Sequence, residues 1–145
     1  MLPSLHDYYL ASYEVNCEVR LIKLHARHPD FAEAHGASTI TIVFTGVEGY
    51  HFKNDAFGNI VFSLKTVSVE ELLLEYRSEI TESYRVAGAP GPWAADLMTA
   101  CQLLTAKSVK GFVISSSYGL SGWLLAKEAA VSPSEGARRP EMTAR

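Results

Sequence analysis

Only two of the 145 residues are cysteine, Cys17 and Cys101, and they lie far apart in no metal-type spacing. Both sit in apolar patterns, so two reduced, buried thiols acting as small hydrophobes are expected rather than a disulfide framework. The chain also lacks an excess of positive charge. Its formal net charge is −3, which speaks against a nucleic-acid partner, since that requires a basic face to replace counterions. The same balance speaks against docking on an anionic membrane. No apolar run approaches the ~20 residues that span a bilayer. The N-terminal stretch Met1-Leu2-Pro3-Ser4-Leu5-His6-Asp7 has neither a basic start nor an apolar centre. No secretory signal is expected there, and a cytoplasmic location follows.

Several chemical motifs are missing as well. There is no Gly-x-x-x-x-Gly-Lys and no Gly-x-Gly-x-x-Gly, so no phosphate-cradling loop is expected. Asn54, Asp55 and Asn59 are not spaced as a calcium loop. Gly119-Leu120-Ser121-Gly122 approaches a nucleophile elbow, but Trp123 stands where the second glycine is needed. The sequence beyond it is strand-like, whereas an elbow turns into a helix. Ser121 is therefore not expected to be a nucleophile.

What is present is enough apolar content, 48%, for one core in a chain of ordinary domain size. From Tyr8 to Arg27 the side-chain parity shifts once, which predicts strands over 8–15 and 18–27 joined by a turn near Asn16–Glu18. Residues 28–38 read as a loop. Ser38–Val47 alternates cleanly, with Ile40, Ile42 and Phe44 on one face. Gly46 and Gly49 interrupt it with a bulge or bend before Tyr50 and Phe52 resume the pattern. Ile60–Val67 returns as a strand with Ile60, Phe62 and Leu64 sharing a face. Gly111–Ser116 and Gly122–Val131 form a final pair around the loop 117–121.

Between these strands lie two helices. Ser68 and Glu71 match a capping box, in which the hydroxyl accepts the N–H three residues on and the carboxylate reaches back. Val69, Leu72, Leu73, Tyr76 and Ile80 then fall on one stripe, and the helix fades before Gly88-Ala89-Pro90-Gly91-Pro92. A second helix opens at Pro92 or Trp93, with Leu97, Met98, Cys101 and Leu104 as its buried stripe. The expected fold is α+β: a mostly antiparallel sheet of about six strands packed with two helices. Residues 1–131 form this single domain, and 132–145 a disordered C-terminal tail with almost no apolar content.

Candidate site residues are few. His25, His28, Asp30 and His35 are the densest set of metal-ligand types, but their spacing matches no established zinc motif, and no metal or other cofactor is expected. His6-Asp7 is an adjacent imidazole–carboxylate pair ahead of a strand. Tyr118, beside Gly119 at a loop tip, is the best candidate for an exposed recognition aromatic. Binding is expected to involve His6, Asp7, Tyr118 and Gly119.

Leu5-His6-Asp7 before the first strand, Val43-Phe44-Thr45-Gly46-Val47 followed by Tyr50, and the late Ser116-Ser117-Tyr118-Gly119 hairpin carry a likeness over residues 5–130. In these the chain resembles the immunity protein 50 family of bacterial polymorphic toxin systems and related small bacterial proteins. The resemblance implies a cytoplasmic protein that binds and blocks a cognate toxin, and it brings no catalytic residues. The sequence thus reads as a non-enzymatic binding protein whose partner is another protein. The alternative is a small metal-dependent or other hydrolase using His6, Asp7 and the loop histidines.

Overall fold

The computed structural model describes residues 2–28 and 39–133, with Pro133 as backbone only. The architecture is α+β, with one antiparallel sheet. Its strands are β1 (Tyr9–Asn16), β2 (Leu21–Arg27), β3 (Thr39–Thr45), β4 (Gly49–Lys53), β5 (Ile60–Val67), β6 (Lys110–Tyr118), β7 (Ser121–Ala126) and β8 (Glu128–Pro133). The helices are α1 (Val69–Glu75), α2 (Arg77–Ala87) and α3 (Leu97–Ala106), and a 3₁₀ turn spans Pro92–Ala95.

Eight strands and three helices among the described residues correct the expected six and two, for local reasons. Gly46, at φ +64°, turns the chain between β3 and β4, and Lys127 bends it between β7 and β8. Two long extended segments are each divided in this way. The first predicted helix is divided at Tyr76, whose backbone sits at φ −105°, ψ 19°. Hydrogen bonding still runs through that point, from Tyr76 N to Leu72 O and from Ile80 N to Tyr76 O.

The sheet order is β4-β7-β6-β5-β1-β2-β3-β8, with every pairing antiparallel. Its two ends are covalent continuations of inner strands, since β4 extends β3 and β8 extends β7. The ladder carries through both bends: Lys127 N donates to Thr45 O at 3.0 Å and Glu48 N to Leu125 O at 2.7 Å. The sheet therefore closes on itself as a barrel. Closure between β1 and β5 is short, with Tyr9 opposite Ile60 and Val61 N donating to Tyr8 O at 2.9 Å.

Inside the barrel the even-numbered residues of β2 and β3, Ile22, Leu24, Ile42 and Phe44, meet Phe112, Ile114 and Leu124. The helices cover the outer face of β6 and β7, where Leu72, Leu73, Ile80 and Leu104 pack on Trp123 and Leu125. β7 is buried on both faces, which explains its unbroken apolar run.

Three sequence expectations fail locally. Phe62 does not share a buried face with Leu64. Register shifts on either side of Val61 turn Val61 inward and leave Phe62 exposed. Helix α3 does not start at Pro92 or Trp93. Asp96, in extended conformation, caps it by accepting from Met98 N and Thr99 N, and Met98 is exposed. The Thr99 bonds hold the Asp96 carboxyl below its ordinary value. Cys17 is not buried: it lies exposed in the β1–β2 turn, Cys101 is half-buried, and both thiols are free.

Strand β8 takes in Ser132 and Pro133, which pair with Thr41 and Ile40. The remainder of the expected tail, 134–145, lies outside the described residues. Among the described residues no helix is long and apolar enough to cross a membrane.

Candidate functional site

The side chain of Asn59 organises one end of the barrel. It is buried, 5% exposed, and its Oδ1 accepts from Ala56 N at 2.9 Å and Leu120 N at 2.8 Å. Its Nδ2 donates to Asp55 Oδ1 at 2.9 Å. Its backbone carbonyl accepts from Leu10 N at 3.0 Å. One residue thus ties the 54–59 turn to β1 and to the β6–β7 hairpin. Asp55 Oδ2 in turn accepts from the Tyr13 hydroxyl at 2.8 Å. Bonds from Asn59 and then Tyr13 hold the Asp55 carboxyl below its ordinary value. The bond to Asp55, then burial, pushes the Tyr13 phenol up.

This framework carries Tyr118 and Gly119. Gly119 makes the hairpin turn at φ +95°, in the left-handed region open to glycine. The Ser116 hydroxyl donates to Leu120 O across the same turn. Tyr118 and Tyr9 both stand opposite Ile60, on either side of β5. A Cβ built on Gly58 would lie 3.8 Å from Tyr9 Oη and 4.0 Å from Tyr118 Cε2, so the two tyrosines flank the turn that presents Phe57. Phe57 is fully exposed, while Tyr118, Phe62 and Tyr9 are 57%, 54% and 45% exposed.

His6 and Asp7 join this surface through Phe62. The His6 ring meets Phe62 edge-on, with centroids 5.3 Å apart, and its Nδ1 lies 3.4 Å from Phe62 O. Asp7 sits at φ +68°, held by its N–H on Val61 O at 2.8 Å. His6 Nε2 and Asp7 Oδ2 are 3.6 Å apart, with both side chains more than half exposed. Such a pair contributes little to stability. The structure therefore places Tyr118 and Gly119 in one cluster and brings His6 and Asp7 to β5 beside it. The sequence did not single out Phe57 or Phe62. Phe57 sits in a turn among polar residues, and that was its only signal.

The metal candidates are placed in part. His25, on β2, has Nδ1 2.9 Å from Thr41 Oγ1, and the His28 ring meets Tyr8 edge-on at 5.2 Å. Asp30 and His35 lie outside the described residues. Among the described residues no group of three or more His, Cys, Asp or Glu is arranged to hold a metal ion. Ser121 opens β7, so a strand and not a helix follows it.

Sequence reasoning missed a cleft of about 610 Å³ beside the β1–β2 turn, lined by Tyr13, Arg20, Glu48, Tyr50, His51 and Phe52 among others. Phe52 meets both Tyr13 and Tyr50, with centroids 5.4 and 5.3 Å apart. Arg20 fixes the rim through Val47 O at 2.9 Å and Glu48 at 3.7 Å. Tyr50 and Phe52, resuming after the two glycines, were its visible trace. Comparison of the chain with family models, with curated proteins and with solved structures returned no match.

Proposed function

We propose that this chain is a non-enzymatic binding protein that contacts another protein through Tyr9, Phe57, Phe62 and Tyr118, with His6 and Asp7 at the rim. The observation that carries this reading is the set of four large exposed aromatics on adjoining strands and their connecting turn. Exposed aromatics held on a rigid frame are the residues that dominate protein–protein affinity. Asn59 supplies the rigidity here. Asp7 and Asp55, at the edge of the patch, favour a partner that is apolar at the centre of its contact face and basic around it. The sharper form of the proposal is a cytoplasmic immunity protein that masks a cognate toxin, supported by the sequence likeness around Leu5-His6-Asp7 and Ser116-Ser117-Tyr118-Gly119.

The test is affinity capture from the native host, identification of the captured protein, and reconstitution with that protein purified. Phe57→Ala and Tyr118→Ala should each weaken the reconstituted complex at least about tenfold, the loss typical of an aromatic anchor. Leu103→Ala, on the exposed face of α3, should leave it unchanged. A complex whose affinity is the same in the Phe57→Ala/Tyr118→Ala double variant sinks this surface assignment. If the reconstituted partner is a toxin, loss of its toxicity on binding decides the sharper form.

A further inference from the structure

Behind the cleft lies a second, smaller recess of about 90 Å³ between β4, β7 and α2. Tyr50, His51, Ala89 and Pro90 border both spaces. The rest of its lining is Glu79, Ile80, Ser83 and Trp123. Trp123 is 2% exposed, and its indole Nε1 has no hydrogen-bond partner among the described residues. The buried Oε1 of Glu79 has none either. The other oxygen of Glu79 accepts from Lys53 Nζ at 3.0 Å, and His51 Nδ1 stands 3.6 Å from Oε1, beyond hydrogen-bond length. Buried polar atoms are ordinarily paired with protein or with water, so each of these two needs a partner that the described residues do not supply.

We infer that this recess binds the head of a small neutral ligand carrying a primary carboxamide on an aromatic ring, with the ring lying outward against Tyr50 in the larger cleft. The two atoms without a hydrogen bond have opposite needs: the indole N–H requires an acceptor and the carboxylate oxygen, which has only the longer contact to His51, requires a donor. A carboxylate head would meet like charge at Glu79. An ammonium head would satisfy Glu79 and leave the indole unpaired. A ketone would do the reverse. A carboxamide presents C=O to Trp123 and NH₂ to Glu79 from one planar group, and a space with room for only a few waters admits a head of that size. The aromatic wall of the cleft suits a flat ring. This site is separate from the protein-binding patch and does not rest on it.

The probes are benzamide and nicotinamide, added to ¹⁵N-labelled full-length protein, with benzoate and acetophenone as controls. The chain has two tryptophans, so Trp93→Phe assigns the Trp123 indole signal. That signal should shift saturably with either amide. Benzoate and acetophenone should bind at least about tenfold more weakly, and Glu79→Ala should weaken benzamide by about tenfold, the value of one charge-assisted hydrogen bond. Phe57→Ala should leave benzamide affinity unchanged. The inference is overturned if no amide gives a saturable shift, if benzoate matches benzamide, or if Glu79→Ala binds as well as the parent chain.

Discussion

Gly119 is pressed against Asn59: a Cβ at residue 119 would stand 2.1 Å from Asn59 Oδ1, the atom that accepts from Leu120 N. Gly119→Ala should therefore do two things at once. It places a side chain at φ +95°, and it drives Asn59 off its buried partners. The expected loss is roughly 2–4 kcal/mol, combining left-handed strain with an unsatisfied buried group. Urea denaturation measures it, and a loss under about 0.5 kcal/mol would show that the turn relaxes freely.

The link between Tyr13 and Asp55 makes a pH prediction. The carboxyl of Asp55 lies below its ordinary 3.8, so its contribution is present above the unfolded pKa and lost as pH falls through the folded one. Tyr13 lies above its ordinary 10.0, so its contribution is present below that value and lost as pH rises through the folded pKa. Tyr13→Phe should move the Asp55 titration, followed by carboxyl ¹³C NMR, up toward the ordinary value. Asn59→Ala should move it further, because Asn59 is the larger cause. An unmoved midpoint in both variants would mean that neither bond persists in solution.

Ser68 caps α1 by accepting from Glu71 N at 3.0 Å. Ser68→Ala should cost about 0.5–2 kcal/mol, read from the midpoint of chemical denaturation. An effect near zero would place the start of the helix elsewhere.

Chelator should leave thermal unfolding unchanged. His25 is held by Thr41 and His28 by Tyr8, and structural zinc, where present, makes folding depend on it. A fall in Tm on adding EDTA, reversed by zinc, would return His25 and His28 to the list of ligands.

The outline of this fold is legible because period-two alternation survives in β2 and β3, and because Ser68 announces α1 through its own hydroxyl. Phe62 was misread because a bulge has no residue-type signature and shifts parity silently. The early start assigned to α3 followed the preference of proline for a first turn, although Asp96 with Thr99 three residues on carried the stronger cap. At the site, Tyr118 and Gly119 were visible as a loop tip. The role of Asn59 was not, because its partners Leu10, Ala56 and Leu120 come from three segments that only the closed sheet brings together.

Pairing of β3 with β8 joins segments more than half the chain apart, Thr41 opposite Ser132. During synthesis β3 emerges well before β8, the strand that covers its free edge. Until β8 follows, the nascent chain carries a ready template for pairing with a neighbouring copy. Closure of the barrel thus waits until residues 128–133 have emerged. Folding yield should depend on how quickly residues 121–133 follow β3 out of the ribosome, more than on the intrinsic stability of the finished protein.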